Sequence, residues 1–183
     1  MTLLKRFEKL STPKKAVVVA LFFLVLLFIF PDLIKNTPFG RPTAGQGEFY
    51  FASHATELIP GQTFNVELRV RSKANINAVG ATLKFDPNLL EILNMNTEES
   101  FCSFYLDNSF DNIKGEVVLS CGKPNPGFQG DSTIMTLQVR GKTHGTTAFA
   151  LQRNGSQILA NDGKGTDVLN DYPSQSVTIK KTF

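Results

Sequence analysis

The chain has 183 residues, with 19 Lys and Arg against 16 Asp and Glu, a formal net charge of +3, and 42% hydrophobic residues. This composition is too apolar and too weakly charged for a disordered chain, and the charge is too small for a protein that depends on neutralising nucleic-acid phosphates. The length allows one domain of ordinary size with an appendage, and little more.

The charge is divided unevenly along the chain. Residues 1–41 hold seven basic and two acidic residues, net +5, whereas residues 42–183 hold twelve basic and fourteen acidic residues, net −2. The apparent basicity therefore belongs to the N-terminal end, and the rest of the chain is mildly acidic.

An apolar run follows the basic end. Residues 16–30 contain no polar side chain and would make a helix of about 22 Å, which extends to about 28 Å at residue 34, near the ~30 Å of a hydrocarbon core. A cleaved signal peptide is the alternative, but the small-x-small cleavage site is missing directly after the run. We therefore predict a basic segment over 1–15, a transmembrane signal-anchor helix over 16–34 and a Gly/Pro/Thr tether over 35–47.

The charges beside this anchor predict its orientation. Lys and Arg are concentrated before the apolar run, and such residues stay on the cytoplasmic side of a membrane. The expected protein is a single-pass membrane protein that contacts the lipid bilayer through residues 16–34, with a cytoplasmic N-terminus and an extracytoplasmic C-terminal domain.

Short alternating segments predict an all-β domain over residues 48–181. Apolar and polar residues alternate in 63–71, 79–85 and 133–139, a period of two that is typical of half-buried strands. About nine strands separated by turn residues favour a jelly-roll β-sandwich. The less regular candidates are 48–53, 90–95, 101–107, 116–121, 148–151 and a last strand around Val177 and Ile179.

The dipeptide Asn154-Gly155 predicts a β-hairpin, because both residues accept the positive φ of a two-residue turn. This turn would pair Leu151 with Ile158. It would also pair Gln152 with Gln157.

A second turn, centred on Asp111-Asn112, would place Cys102 opposite Cys121. In an exported domain a cysteine pair so placed predicts a disulfide, with two buried free thiols as the alternative. The same register would set Phe104 opposite Leu119, Leu106 opposite Val117 and, less favourably for two like charges, Asp107 opposite Glu116.

No motif predicts catalysis, a metal site or a cofactor. His54 and His144 stand alone, without the nucleophile turn of a hydrolase or the paired spacing of zinc ligands. Asp162, Asp167 and Asp171 suggest a weak calcium site, but their spacing does not fit a helix-flanked calcium loop, so a solvated turn is favoured. We expect a protein that is not an enzyme.

Residues 79–92 (VGATLKFDPNLLEI) resemble the third strand and following turn of cohesin domains. Residues 111–119, 130–139 and 158–168 resemble later segments of that family in the same order, so the likeness spans the whole predicted domain. It implies a nine-stranded jelly-roll sandwich that binds a partner module, a dockerin, through one sheet face. Cohesins organise polysaccharide-degrading enzymes on cell surfaces, and some carbohydrate-binding modules share their fold.

The resemblance and the registers together predict a partner-binding face. The best-known cohesins carry an Asn and an Asp at outward positions of the third strand, where this chain has Ala78 and Gly80. The alternative is that the face is an ordinary solvated sheet surface. The predicted residues are Ala78, Gly80, Thr82, Lys84, Tyr105, Val118 and Ser120.

Three functions compete. The favoured one is a membrane-tethered, cohesin-like module that binds a protein. A carbohydrate-binding module is the second, weakened because the chain has no Trp and three Tyr with which to stack sugar rings. A structural component of the cell envelope is the third.

Overall fold

The structure of the protein is a computed structural model that describes residues 43–53 and 56–181. The predicted basic segment, anchor and most of the tether lie outside these residues, as does His54. The described part of the chain contains no helix long and apolar enough to cross a membrane. It forms ten strands: β1 (Gly47–Ser53), β2 (Glu57–Leu58), β3 (Thr63–Lys84), β4 (Leu90–Asn96), β5 (Phe104–Asp111), β6 (Glu116–Gly122), β7 (Phe128–Gly141), β8 (Gly145–Leu151), β9 (Gln157–Ala160) and β10 (Ser174–Ile179).

The longest strand, β3, takes part in two sheet layers. Its first half lies between β1 and β7, and its second half lies between β6 on one side and β8 and β9 on the other. The register with β7 shifts between Ser72 and Ile76, where β3 passes from one layer to the other. The predicted strands 63–71 and 79–85 are therefore two parts of one 22-residue strand.

Alternation along the strands builds the core. In the first half of β3, Phe64, Val66, Leu68 and Val70 are buried between polar neighbours. They belong to the same hydrophobic cluster as apolar residues of β6, β7, β8 and β10, so the two layers share one core. Each fully buried aliphatic or aromatic side chain contributes about 1.5–3 kcal/mol. The predicted all-β sandwich is confirmed, with ten strands in the described residues instead of about nine.

The turn between β5 and β6 is fastened to the rest of the domain. The side-chain amide of Asn112 donates to the carbonyl of Ile92 (2.8 Å), and its oxygen accepts from the Ile92 N–H (2.9 Å). The backbone carbonyl of Gly115 accepts from the Phe85 N–H at 3.0 Å. These bonds attach the hairpin to β4 and to the end of β3, which fixes the position of β5 at the edge of its layer.

Candidate functional site

The second half of β3 and the adjacent β6 present six of the seven predicted site residues on one outer surface. Gly80 lies opposite Ser120 and Thr82 lies opposite Val118. Opposed residues of antiparallel strands project to the same side, and the residues between them are buried, so this set faces outward. We call the surface the β3–β6 face; its residues are Ala78, Gly80, Thr82, Lys84, Val118 and Ser120.

The β3–β6 face consists mainly of small side chains and is nearly neutral. Its side chains are small or of medium size, and its one charged group, Lys84, forms a 3.2 Å ion pair with Glu116 on the neighbouring strand. Because both partners of this pair are partly exposed, it contributes little stability. A surface with these groups favours close approach and shape complementarity over charged contacts.

The turn before β9 covers part of this face. The Ser156 hydroxyl accepts from the Thr82 N–H at 3.1 Å. Gly80 is buried, and a Cβ added to it would lie 3.1 Å from the carbonyl oxygen of Gly155. The Thr82 hydroxyl also lies beside the turn, 3.5 Å from the carbonyl oxygen of Gly155. Gly80 therefore forms the floor of the face beside this turn, and a partner would reach Val118 and Ser120 more easily.

The hairpin predicted at Asn154-Gly155 is wrong in its pairing. Leu151 pairs with Leu83, and Ile158 pairs with Val79. Both β8 and β9 add to the same edge of β3, one after the other, instead of pairing with each other. The turn itself is present, with Gly155 at φ 87°, but tertiary pairing with the long β3 overrides the local hairpin preference.

Tyr105 is separated from the other six residues. It lies opposite Cys121, whose side chain is buried, and its hydroxyl donates to the carbonyl of Thr97 at 3.0 Å. The Tyr105 side chain therefore projects to the same side of the sheet as the buried Cys121, and its hydroxyl reaches the segment that follows β4.

The predicted register of β5 and β6 is wrong for a physical reason. The turn contains four residues, 112–115, and a bulge lies between Tyr105 and Asp107. Asp111 therefore lies opposite Glu116, the position predicted for Asp107. The corrected partners are Gly122 for Phe104, Ser120 for Asp107 and Leu119 for Asn108, while Leu106 lies at the bulge.

The predicted disulfide is confirmed. The sulfurs of Cys102 and Cys121 are 2.10 Å apart and their Cα atoms are 5.8 Å apart. Cys102 reaches Cys121 from the segment just before β5, where Ser103 N–H donates to the carbonyl of Gly122 at 2.8 Å. The bridge therefore forms without the strand pairing that the sequence suggested for it.

The outer surface continues from β6 onto β5. Asp107 lies opposite Ser120, and Ser109 lies opposite Val118. The Phe104 ring lies over Gly122, since a Cβ added to that glycine would be 2.8 Å from the ring. This extension was missed because the predicted register placed Phe104 toward the core.

A polar cluster occupies the outer surface of the other layer, and the sequence did not predict it. The Asp131 carboxylate accepts hydrogen bonds from the Tyr50 hydroxyl (2.7 and 2.8 Å) and from the guanidinium groups of Arg69 (2.9 Å) and Arg71 (3.0 Å). Arg71 also lies over the Tyr50 ring, 4.6 Å from its centre. Alternation placed both arginines outward, but the partner on β7 depends on a register that sequence cannot supply.

The cluster shifts the pKa of Asp131. Burial alone would raise this pKa, but the hydrogen bonds from Tyr50, Arg69 and Arg71 outweigh it and hold the pKa below its ordinary value. The hydrogen bond to Asp131 is also the largest cause that raises the pKa of Arg69. The carboxylate is therefore ionised throughout the physiological range and pairs with two cations.

Replacing Asp131 with Asn should lower the free energy of unfolding at neutral pH by about 1 kcal/mol, a value discounted for the partial exposure of the group. A carboxyl group whose pKa is lower in the folded protein than in the unfolded chain stabilises the fold at pH values above its unfolded-state pKa. This stabilisation is lost as the pH falls through the pKa of the folded state. The difference between wild type and Asp131→Asn should therefore shrink on acidification. Chemical unfolding of both proteins at several pH values measures it, and a difference independent of pH would contradict the assignment.

Solved structures match the architecture of this domain. The cohesin module of a family 33 glycoside hydrolase from Clostridium perfringens superimposes with a TM-score of 0.61 at 12% identity, over 76% of this chain and 100% of that one. A non-cellulosomal cohesin from Archaeoglobus fulgidus gives 0.58 at 18% identity, over 73% and 92%. The third ScaC cohesin of Acetivibrio cellulolyticus, solved in complex with the ScaB dockerin, gives 0.60 at 12% identity, over 74% and 99%.

The domain has a cohesin-like fold. No protein-family profile matches the sequence, and no curated protein matches it significantly. At these identities the structural likeness establishes the architecture, and it confirms the all-β sandwich that the resemblance implied.

Two surface pockets of the cohesin-like domain are small. One, of about 230 Å³, is lined by residues that include Glu48, Arg71 and Lys73. The other, of about 180 Å³, lies beside Glu98 and Thr136. Both are smaller than the roughly 300–1,000 Å³ of typical small-molecule sites, so these two places favour no organic cofactor.

The aspartates considered for calcium already accept hydrogen bonds within the domain. Asp162 accepts from the Thr166 hydroxyl (2.5 Å) and the Lys164 N–H (2.9 Å), and Asp167 accepts from the backbone of Ile158 at 3.0 Å. Among residues 43–53 and 56–181, His, Cys, Asp and Glu side chains form no group of three that could hold a metal ion.

Proposed function

We propose that this chain is a membrane-tethered, extracytoplasmic module that binds a protein partner, dockerin-like or another surface protein, through the β3–β6 face. The observation that carries the proposal is the cohesin-like fold together with the face itself. Sheet surfaces of small residues allow close contact with another protein, whereas the two small pockets do not favour an organic ligand. We also propose that the strands of the sandwich are connected in the jelly-roll order.

The chemistry of the face indicates how a partner would bind. Ala78 and Ser120 are partly exposed, Val118 supplies an apolar contact, and Lys84 is already paired with Glu116. Binding would rely on apolar contact and on hydrogen bonds with the Ser120 hydroxyl, since the Thr82 hydroxyl already donates to the carbonyl of Gly155 at 3.5 Å. The polar pair of the best-known cohesins is replaced by Ala78 and Gly80, so the partner would differ in its contacts from their dockerins.

The tether and the biological setting are supported by the sequence and by one neighbour. The basic and apolar segments before residue 35 support a membrane anchor with an extracytoplasmic domain. One structural neighbour is a module of a glycoside hydrolase, which supports a link to polysaccharide degradation.

Binding to purified dockerin modules, and to a protein captured from the surface of the source cells and then purified, tests the proposal. The full chain in a non-ionic detergent is the binding partner. Thr82→Arg and Val118→Arg should each weaken binding about tenfold or more, because a long charged side chain blocks close approach. Thr63→Arg places the same substitution at an exposed position of the same strand in the other layer and should leave the affinity unchanged.

Each result has a clear meaning. Equal affinity of wild type, Thr82→Arg and Val118→Arg would refute the β3–β6 face, provided that thermal unfolding shows all three to be folded. Tyr105→Ala should leave the affinity unchanged, because that side chain is directed away from the face.

The carbohydrate alternative is tested by retention of the wild-type chain on polysaccharide beads. The guanidinium groups of Arg71 and Arg153 lie over the rings of Tyr50 and Tyr172 at 4.6 and 4.5 Å. Each therefore covers one face of a ring that would otherwise stack on a sugar. Retention on the beads would favour a carbohydrate-binding module. If the chain bound neither a protein partner nor a polysaccharide, a structural role in the envelope would be favoured.

A further inference from the structure

The free edge of β5 is a second interaction surface, which adjoins the β3–β6 face and consists of the unpaired backbone of the strand. β5 is the last strand of its layer and pairs with β6 alone among the described residues. Seven of its eight residues are exposed and the eighth is partly exposed. Its outer backbone groups are therefore open to pairing with another strand.

The residues along this edge are unusually apolar. Leu106 is 80% exposed and Ile113, in the turn that follows, is 91% exposed; Phe104, Tyr105 and Phe110 are also exposed. Proteins normally protect such edges with lysines, prolines or very short strands. β5 is eight residues long and contains neither lysine nor proline. Its protective features are the bulge at Leu106 and the carboxylates of Asp107 and Asp111.

The charges of β5 indicate the kind of partner that fits. Asp107 and Asp111 project to the same side, four residues or about 13 Å apart along the strand. Asp107 has no ion pair among the described residues, and its carboxylate accepts from the Ser109 hydroxyl at 2.7 Å. Hydrogen bonds from the backbone of Lys114 and Ile113 keep the pKa of Asp111 low, and the Lys114 ammonium lies 3.5 Å from the Asp111 carboxylate.

A second copy of the chain fits this edge poorly in the register that is centred on Ser109. Antiparallel pairing of two β5 strands that keeps the faces aligned and is centred on Ser109 would set each Asp107 opposite an Asp111. Like charges directly opposite each other destabilise a strand pair. A strand that carries Lys or Arg at these positions would instead form complementary pairs.

We propose that the edge of β5 binds an extended segment of a partner protein as an added strand. In that segment basic residues alternate with apolar ones. Its basic side chains face Asp107 and Asp111, while its apolar side chains lie beside Phe110 and the aromatic end of the strand. Backbone hydrogen bonds supply affinity, and the alternating positions supply specificity. The added strand pairs with the backbone edge of β5, whereas a partner on the β3–β6 face contacts the side chains of β3 and β6, so either proposal can fail without the other.

Peptides matched in length to β5 test this proposal. One alternates Lys with Val and the other alternates Glu with Val, and each is added to the full chain in a non-ionic detergent. The Lys peptide should bind, slow the hydrogen exchange of β5 amides, and lose affinity as salt is added. The Glu peptide should bind at least about tenfold more weakly, because it faces two carboxylates.

A pair of matched variants locates the site. Ser109→Lys adds a positive charge between the two aspartates and should weaken binding of the Lys peptide about tenfold. Gln138→Lys makes a similar change at an exposed position of β7 and should have no effect. Thermal unfolding of both variants confirms that they are folded.

Three outcomes would overturn the proposal. The first is equal binding of the two peptides. The second is protection of amides outside β5. The third is a concentration-dependent dimer of the wild-type chain that protects β5 without any peptide, which would assign the edge to self-association.

Discussion

Gly115→Ala should lower the free energy of unfolding by about 3 kcal/mol, a large effect for a single methyl group. Gly115 has φ 64°, a left-handed conformation that costs residues with a Cβ about 1–2 kcal/mol. The added Cβ would also lie 2.2 Å from the carbonyl oxygen of Phe85 and 2.8 Å from Pro87 Cδ. The backbone there cannot withdraw freely, because the Phe85 N–H is bound to the Gly115 carbonyl at 3.0 Å.

Gly163→Ala is the matched control for this prediction. Gly163 has a similar φ of 71°, and a Cβ added there has no atom within 4 Å. It should cost about 1 kcal/mol from backbone strain alone. Chemical unfolding followed by circular dichroism measures both variants, since the chain has no Trp. Equal losses for the two would show that the contact with Phe85 does not matter.

Removing the disulfide should have an effect of similar size. Cys102 and Cys121 are 19 residues apart in sequence, and closing a loop of that length restricts the unfolded chain by about 3 kcal/mol in the chain-entropy account. Cys102→Ala/Cys121→Ala should therefore unfold at a lower denaturant concentration than wild type. The bridge also attaches the start of β5 to β6, so exchange of the first β5 amides should quicken.

Reduction of the wild-type protein provides the control. A reducing agent should lower the stability of wild type toward that of the double variant and leave the double variant unchanged. A mass measurement under non-reducing conditions that found two free thiols would contradict the bridge itself.

The parts of the fold that sequence predicted are those set by local periodicity. Alternation in residues 63–71 identified which side chains of β3 are buried, since one face of a strand must pack against the core. The same reasoning placed Thr82 and Lys84 outward with Val118 and Ser120 beside them. Six of the seven predicted face residues lie together for that reason.

The errors arose where long-range pairing decides the structure. A bulge at Leu106 and a turn of four residues change the β5–β6 register, and neither has a clear sequence signal. This change moves Tyr105 away from the face and brings Phe104 onto it. The disulfide was predicted correctly although its assumed register was wrong, because the bridge needs proximity of the cysteines and not strand pairing.

The polar cluster was missed for a related reason. Arg69 and Arg71 were placed outward by alternation, but Asp131 lies about sixty residues later, on β7. Two strands must adopt a particular register before these charges meet. Sequence identifies the charged positions, and the structure alone identifies their partners.

The sharing of β3 between the two layers has a mechanical consequence. Its two halves are one covalent backbone, so a pull on one sheet is transmitted to the other without crossing a noncovalent interface. Separating either sheet from the domain would also remove one half of β3 from between its neighbouring strands. If the domain is held between the anchor and the partner proposed above, it would bear load as a single unit and unfold in one step, instead of losing one sheet after the other.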